Sequence, residues 1–140
     1  MARFAYGHTL FALGKYQRAA EAVRKGLELD PTWPGVRMDR RNFYRDPSQF
    51  EAQLKKLEQY VAQHPEDGDA RFLLAYNLYF SGQKGRAREE FGTLIKTNPL
   101  DAHSELFLKY LAGAPGPAAP SLPAAPKPTA PAPKLGGTEY

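Results

Sequence analysis

Residues 72–99 read FLLAYNLYFSGQKGRAREEFGTLIKTNP. Phe72 to Phe80 reads as a first helix, and Ser81-Gly82-Gln83 as a turn. Ala87, Phe91, Leu94 and Ile95 then recur at three- and four-residue steps, the spacing of a helix that buries one face. Asn98-Pro99 stops that helix, because proline disfavours the helical conformation in the residue before it. The stretch is therefore two helices joined by a tight turn.

The same phrase recurs along the chain. Prolines stand at Pro31, Pro65 and Pro99, each pair 34 residues apart, closing Leu29-Asp30-Pro31, Gln63-His64-Pro65 and Thr97-Asn98-Pro99. Gly14 and Gly82, and likewise Ala19 and Ala87, are two such periods apart, and Ala2-Arg3-Phe4 returns as Ala70-Arg71-Phe72. In the first unit Phe4, Leu10 and Phe11 belong to a helix ending near Gly14, and Tyr16, Ala19, Val23 and Leu27 to a second. In the middle unit Asp46 caps a helix with Pro47 in its first position and Phe50, Leu54, Leu57 and Val61 facing inward. Its first helix, expected over about Val36 to Arg45, is arginine-rich and lacks the small residue that Gly7 and Ala75 supply in the other units. A last helix, about Asp101 to Leu111, carries Leu106, Phe107, Tyr110 and Leu111 as a stripe and reads as a cap on the open end of a stack.

The period, the two-helix unit and the residue types resemble the tetratricopeptide repeat, whose unit is 34 residues long. The matching residues are Gly7, Leu10, Gly14, Tyr16, Ala19, Leu27 and Pro31 in the first unit and Leu74, Ala75, Leu78, Gly82, Ala87, Phe91 and Pro99 in the third. The middle unit keeps Phe50, Leu57 and Pro65. Arg3, Arg37 and Arg71 stand where the family usually has an aromatic. The resulting expectation is an all-α solenoid: a repeat domain over 1–112, with units 1–33, 34–67 and 68–101 and a cap at 101–112. Residues 113–140 are expected to be a disordered, Pro/Ala-rich tail. Eight of the chain's 13 prolines fall between Pro115 and Pro133, and Leu122, Leu135 and Tyr140 are too few large apolar residues to offset the entropy of ordering it. The tail reads as a spacer, with a docking segment for an aromatic-lined domain as the alternative.

The resemblance implies a concave groove, lined by the first helix of each unit, that holds a segment of a partner protein. Its groove-facing positions fall here on Phe4, His8, Phe11, Asn42, Arg45, Phe72, Tyr76, Tyr79 and Phe80. Aromatic rings give large rigid contact area at small entropic cost. The competing reading is that several of these rings are core. A subgroup of the family grips chaperone tails through their terminal carboxylate; the positions it uses are Phe4, His8, Asp39, Asp69 and Leu73 here, which supply no fixed cation, so that clamp is not expected. Arg37, Arg40, Arg41 and Arg45, on one short expected helix, form a candidate patch for an anion or an acidic segment, or else a solvated face.

Composition narrows the function classes. The chain of 140 residues has no cysteine, which excludes disulfides, thiolate metal sites and cysteine nucleophiles. Nineteen Lys and Arg against 15 Asp and Glu leave a net charge of +4, too mild to point to nucleic acid without a binding motif. His8, His64 and His103 lie in different units without a ligand at metal-binding spacing, so neither metal, cofactor nor catalysis is expected. There is no apolar run long enough to span a membrane and no leader layout, which makes the cytoplasm the default compartment. Opening inside a repeat with no preceding cap suggests a piece of a longer chain. The expected role is a non-catalytic protein-binding adaptor or scaffold, the alternative a structural assembly in which repeats stack on copies of themselves.

Overall fold

The computed structural model describes residues 2–113; the expected tail from residue 114 onward lies outside them. Six α-helices follow one another: α1 Ala2–Ala12, α2 Tyr16–Leu29, α3 Pro47–Gln63, α4 Gly68–Tyr79, α5 Lys84–Thr97 and α6 Ala102–Leu111. No strand occurs among the described residues. Asp46, Asp67 and Asp101 accept hydrogen bonds from the backbone N–H of Ser48, Ala70 and Ser104 at the starts of α3, α4 and α6.

The first and third units are matching hairpins, α1 against α2 and α4 against α5. Both turn on a glycine in the left-handed region, Gly14 at φ +77° and Gly82 at φ +82°, where a side chain would be strained. The helices of the first hairpin approach closely because Gly7 has no side chain. A Cβ there would lie 3.0 Å from Val23 and 3.2 Å from the Ala19 carbonyl.

α4 is the centre of the molecule. Every residue from Phe72 to Tyr79 is buried, so after its exposed first turn this helix has no solvent face. It packs on α2, α3 and α5. Phe107 from α6 closes the far end, stacked on Phe91 at 4.8 Å and meeting Phe72, Tyr76, Tyr79 and Phe80 edge-on. Of the expected α6 stripe only Phe107 is fully buried; Leu106, Tyr110 and Leu111 are half-buried. Arg24 ties the hairpins together. Its guanidinium lies 4.0 Å above the Phe72 ring and makes two hydrogen bonds, 2.9 and 3.0 Å, to Asp101.

The middle unit departs from expectation. No α-helix forms over Val36 to Arg45. Two 3-10 turns, Trp33–Gly35 and Arg40–Phe43, are joined by extended chain through Val36 and Asp39. We call residues 33–44 the strap. The reason lies in what flanks and fills it. Trp33-Pro34 makes a tight turn directly after α2, and the Trp33 ring stacks on Phe4 at 4.0 Å. The Arg40 side chain is 1% exposed and points inward, an orientation that a solvated arginine-rich helix would not need. Burying Trp33 and Arg40 between the hairpins replaces the missing helix–helix contact.

Held by few bonds, the strap is expected to open before the hairpins do. Among the described residues the backbone N–H groups of Arg37, Met38 and Asp39 donate no hydrogen bond. Amide exchange at these three positions should be the fastest between α2 and α3, and that of Phe72 to Tyr79 the slowest in the molecule. Equal protection in the two segments would contradict this.

Candidate functional site

The strap lies where the groove was expected, and the rings assigned to the groove hold it. Tyr76 is the hub. Trp33 Nε1 donates to its hydroxyl at 3.0 Å, and His8 Nε2 lies 2.8 Å from the same oxygen. The Tyr79 hydroxyl donates to the Pro34 carbonyl at 2.6 Å, and the Arg40 N–H donates to the Phe80 carbonyl at 2.7 Å. Arg40 Nε donates to Asn77 at 3.1 Å, while its guanidinium sits 5.4–5.7 Å from the ring centres of Phe11, Phe43, Tyr44 and Phe50. Burial pushes the Tyr76 phenol above its ordinary range and brings Tyr79 to about 12. Burial first, and then the Arg40 charge, push His8 well below an ordinary histidine, so it is neutral at pH 7.

These contacts correct the expectation of an open aromatic groove. Phe4, Phe11, Phe72, Tyr76, Tyr79 and Phe80 are each at most 4% exposed, and His8 is 9% exposed. Only Asn42 and Arg45, on the outer side of the strap, are exposed. The groove positions assume a first helix in the middle unit. Without it the two hairpins close on the strap, and the rings become core. The arginine patch is corrected as well. Arg40 is buried, Arg41 pairs with Asp39 at 2.6 Å, and Arg37 and Arg45 are exposed without an ion pair among the described residues. With no common helix, the four do not share one face.

A cleft of about 480 Å³ opens on the far side of the strap, between Pro34–Met38, the end of α4, the start of α5 and α6. Its walls are Pro34, Val36, Met38, Tyr79, Phe80 and Tyr110, and its charged lining residues are Arg37 and Lys84. Lys84 Nζ sits 4.8 Å over the Tyr79 ring, a cation–π contact that fixes the ammonium at the rim. Of these residues the sequence singled out Tyr79 and Phe80 as groove rings and Arg37 as part of the arginine patch. Pro34, Met38, Lys84 and Tyr110 carry no periodic signal linking them; the lone tryptophan beside a proline at Trp33-Pro34 is the one local hint that the chain turns inward there.

Among the described residues no three His, Cys, Asp or Glu side chains are placed to hold a metal ion, and no helix is long and apolar enough to cross a membrane. No curated protein and no solved structure matches the chain. Residues 1–33, covering α1, α2 and the turn into the strap, match the model of the tetratricopeptide repeat. α4 and α5 repeat that hairpin around an equivalent glycine turn, so the chain carries a tetratricopeptide-repeat match over residues 1–33 and a second hairpin of the same build.

Proposed function

We propose that the chain is a non-catalytic protein-interaction module and that a partner segment binds in the cleft beside the strap. Repeats of this family generally mediate protein–protein contact. The observation that carries the placement is the filled groove. The strap occupies the inner face between the hairpins, which supports placing the partner segment in the cleft of Met38, Tyr79, Phe80 and Tyr110 beside it. Its volume lies within the range of about 300–1,000 Å³ typical of ligand sites. The rigid aromatic packing beneath it, with Tyr79 wedged between Phe80 and Phe107 at 4.8 Å each, means that its walls need little ordering on binding.

The test is capture with the full chain, identification of bound proteins, and titration of the purified partner against Met38→Trp, which fills the cleft from its half-buried rim. Affinity should fall by about tenfold or more while the melting temperature stays close to that of the parent. An unchanged affinity in a folded Met38→Trp protein would refute the placement. A chain that captures only copies of itself would instead be the stacking scaffold, and sedimentation would show it.

A further inference from the structure

We infer that the cleft recognises an extended, acidic segment of a partner protein, its main chain laid along residues 36–39 and its carboxylates set against Arg37 and Lys84. This rests on the reading of the chain as a protein-binding module and adds the chemistry of the partner. Three observations carry it. First, one wall is extended backbone with unused donors. Val36 (φ −72°, ψ 137°) and Asp39 (φ −129°, ψ 116°) are extended, and the N–H groups of Arg37, Met38 and Asp39 donate to nothing among the described residues. Successive N–H groups of an extended chain point to opposite edges, so one edge offers an added strand at most the donors of Arg37 and Asp39. Second, the floor is apolar and aromatic, built from Val36, Met38, Tyr79, Phe80 and Tyr110. Third, the charge is one-sided. Arg37 and Lys84 line the cleft and no carboxylate does; the neighbouring Asp39 carboxylate already accepts from the Arg41 backbone and guanidinium at 2.6–3.1 Å. Among the described residues Arg37 makes no ion pair and Lys84 touches a ring rather than an acid, so neither is matched to a carboxylate there.

An extended segment alternating apolar and acidic residues meets all three features at once, since successive side chains point to opposite sides. The probes are two amide-capped, fluorescein-labelled decapeptides, one alternating glutamate and leucine, the other lysine and leucine. Each is titrated by anisotropy against the full 140-residue chain and against Arg37→Glu/Lys84→Glu. The parent should bind the glutamate peptide about tenfold more tightly than the lysine peptide, and the double variant should reverse the order. Raising salt should weaken the preferred peptide in both proteins. Both substitutions are on exposed side chains, so the fold should persist, and circular dichroism checks that. Equal binding of the two peptides by the parent, or an acidic preference that survives in the double variant, would overturn the proposal. So would magnetic-resonance contacts in the free protein between residues 114–140 and Arg37–Asp39, which would assign the cleft to the chain itself. Self-association abolished by the double variant would overturn it too, in favour of a second copy. Failure here is separable from failure of the interaction reading. A partner captured by the full chain that binds the double variant with parental affinity leaves the module intact and removes only the acidic segment.

Discussion

Replacing Tyr76 with alanine is expected to cost about 3–5 kcal/mol, a large share of the roughly 5–15 kcal/mol available to a domain of this size. Tyr76 is fully buried, meets Phe80 at 5.0 Å and Phe107 at 6.0 Å, and its hydroxyl is the shared partner of Trp33 and His8. Truncation removes the ring from the centre of α4 and leaves the indole N–H without an acceptor in the interior. Tyr76→Phe separates the two contributions. It keeps the ring and removes the oxygen, so it should cost about 1–3 kcal/mol, the price of an unsatisfied buried donor. Urea unfolding followed by helical signal reads both. A Tyr76→Ala protein as stable as the parent would mean that the ring is not core, and the open groove would return as the binding surface.

The turns and caps were legible because they are local. A proline after each second helix, Asp46 before Pro47, and glycines at Gly14 and Gly82 act on their own backbone whatever surrounds them, and each sits where its chemistry demands. The α2, α3 and α5 stripes were legible for a related reason: Val23, Leu57 and Phe91 recur at helical spacing on a face that is buried. The strap was not legible. Its arginines read as a solvated helix, because nothing local tells that Arg40 turns into a ring of four aromatics while Arg41 pairs outward with Asp39. The stacking of Trp33 on Phe4 joins residues with no common period. The groove assignment failed through the same gap. Phe72, Tyr76 and Tyr79 are inner-face positions only if three first helices stand side by side. With two helices and a strap, the inner face becomes the interior.

Acid should expose the joint that closes the other end of the molecule. Asp101 is 8% exposed, caps α6 through the N–H and hydroxyl of Ser104, and takes two hydrogen bonds from Arg24, which also lies over Phe72. Burial alone would raise its carboxyl; the Arg24 hydrogen bonds and the Ser104 N–H outweigh burial and hold it at about 2. A carboxyl that titrates lower folded than unfolded binds fewer protons in the native state. Its contribution is therefore complete above about pH 4 and is lost as pH falls toward 2, and the gap corresponds to about 2 kcal/mol. His8 acts with the same sign at higher pH. Its folded value is depressed below the ordinary 6.5, so stability begins to fall once pH drops beneath 6.5. Asp101→Asn keeps a side-chain cap and loses the charge, so it should cost about 1–2 kcal/mol at pH 7 and flatten the decline between pH 4 and 2. Asp101→Ala loses the cap as well and leaves half-buried Arg24 with only the longer 3.9 Å ion pair to Asp69, for about 2–3 kcal/mol. Asp39 and Asp67 are also held low, so the acid limb should shrink in the variants rather than vanish. Stability curves of parent and Asp101→Asn that stay parallel from pH 5 to pH 2 would show that the Arg24 clasp does not bind α6 to the first hairpin.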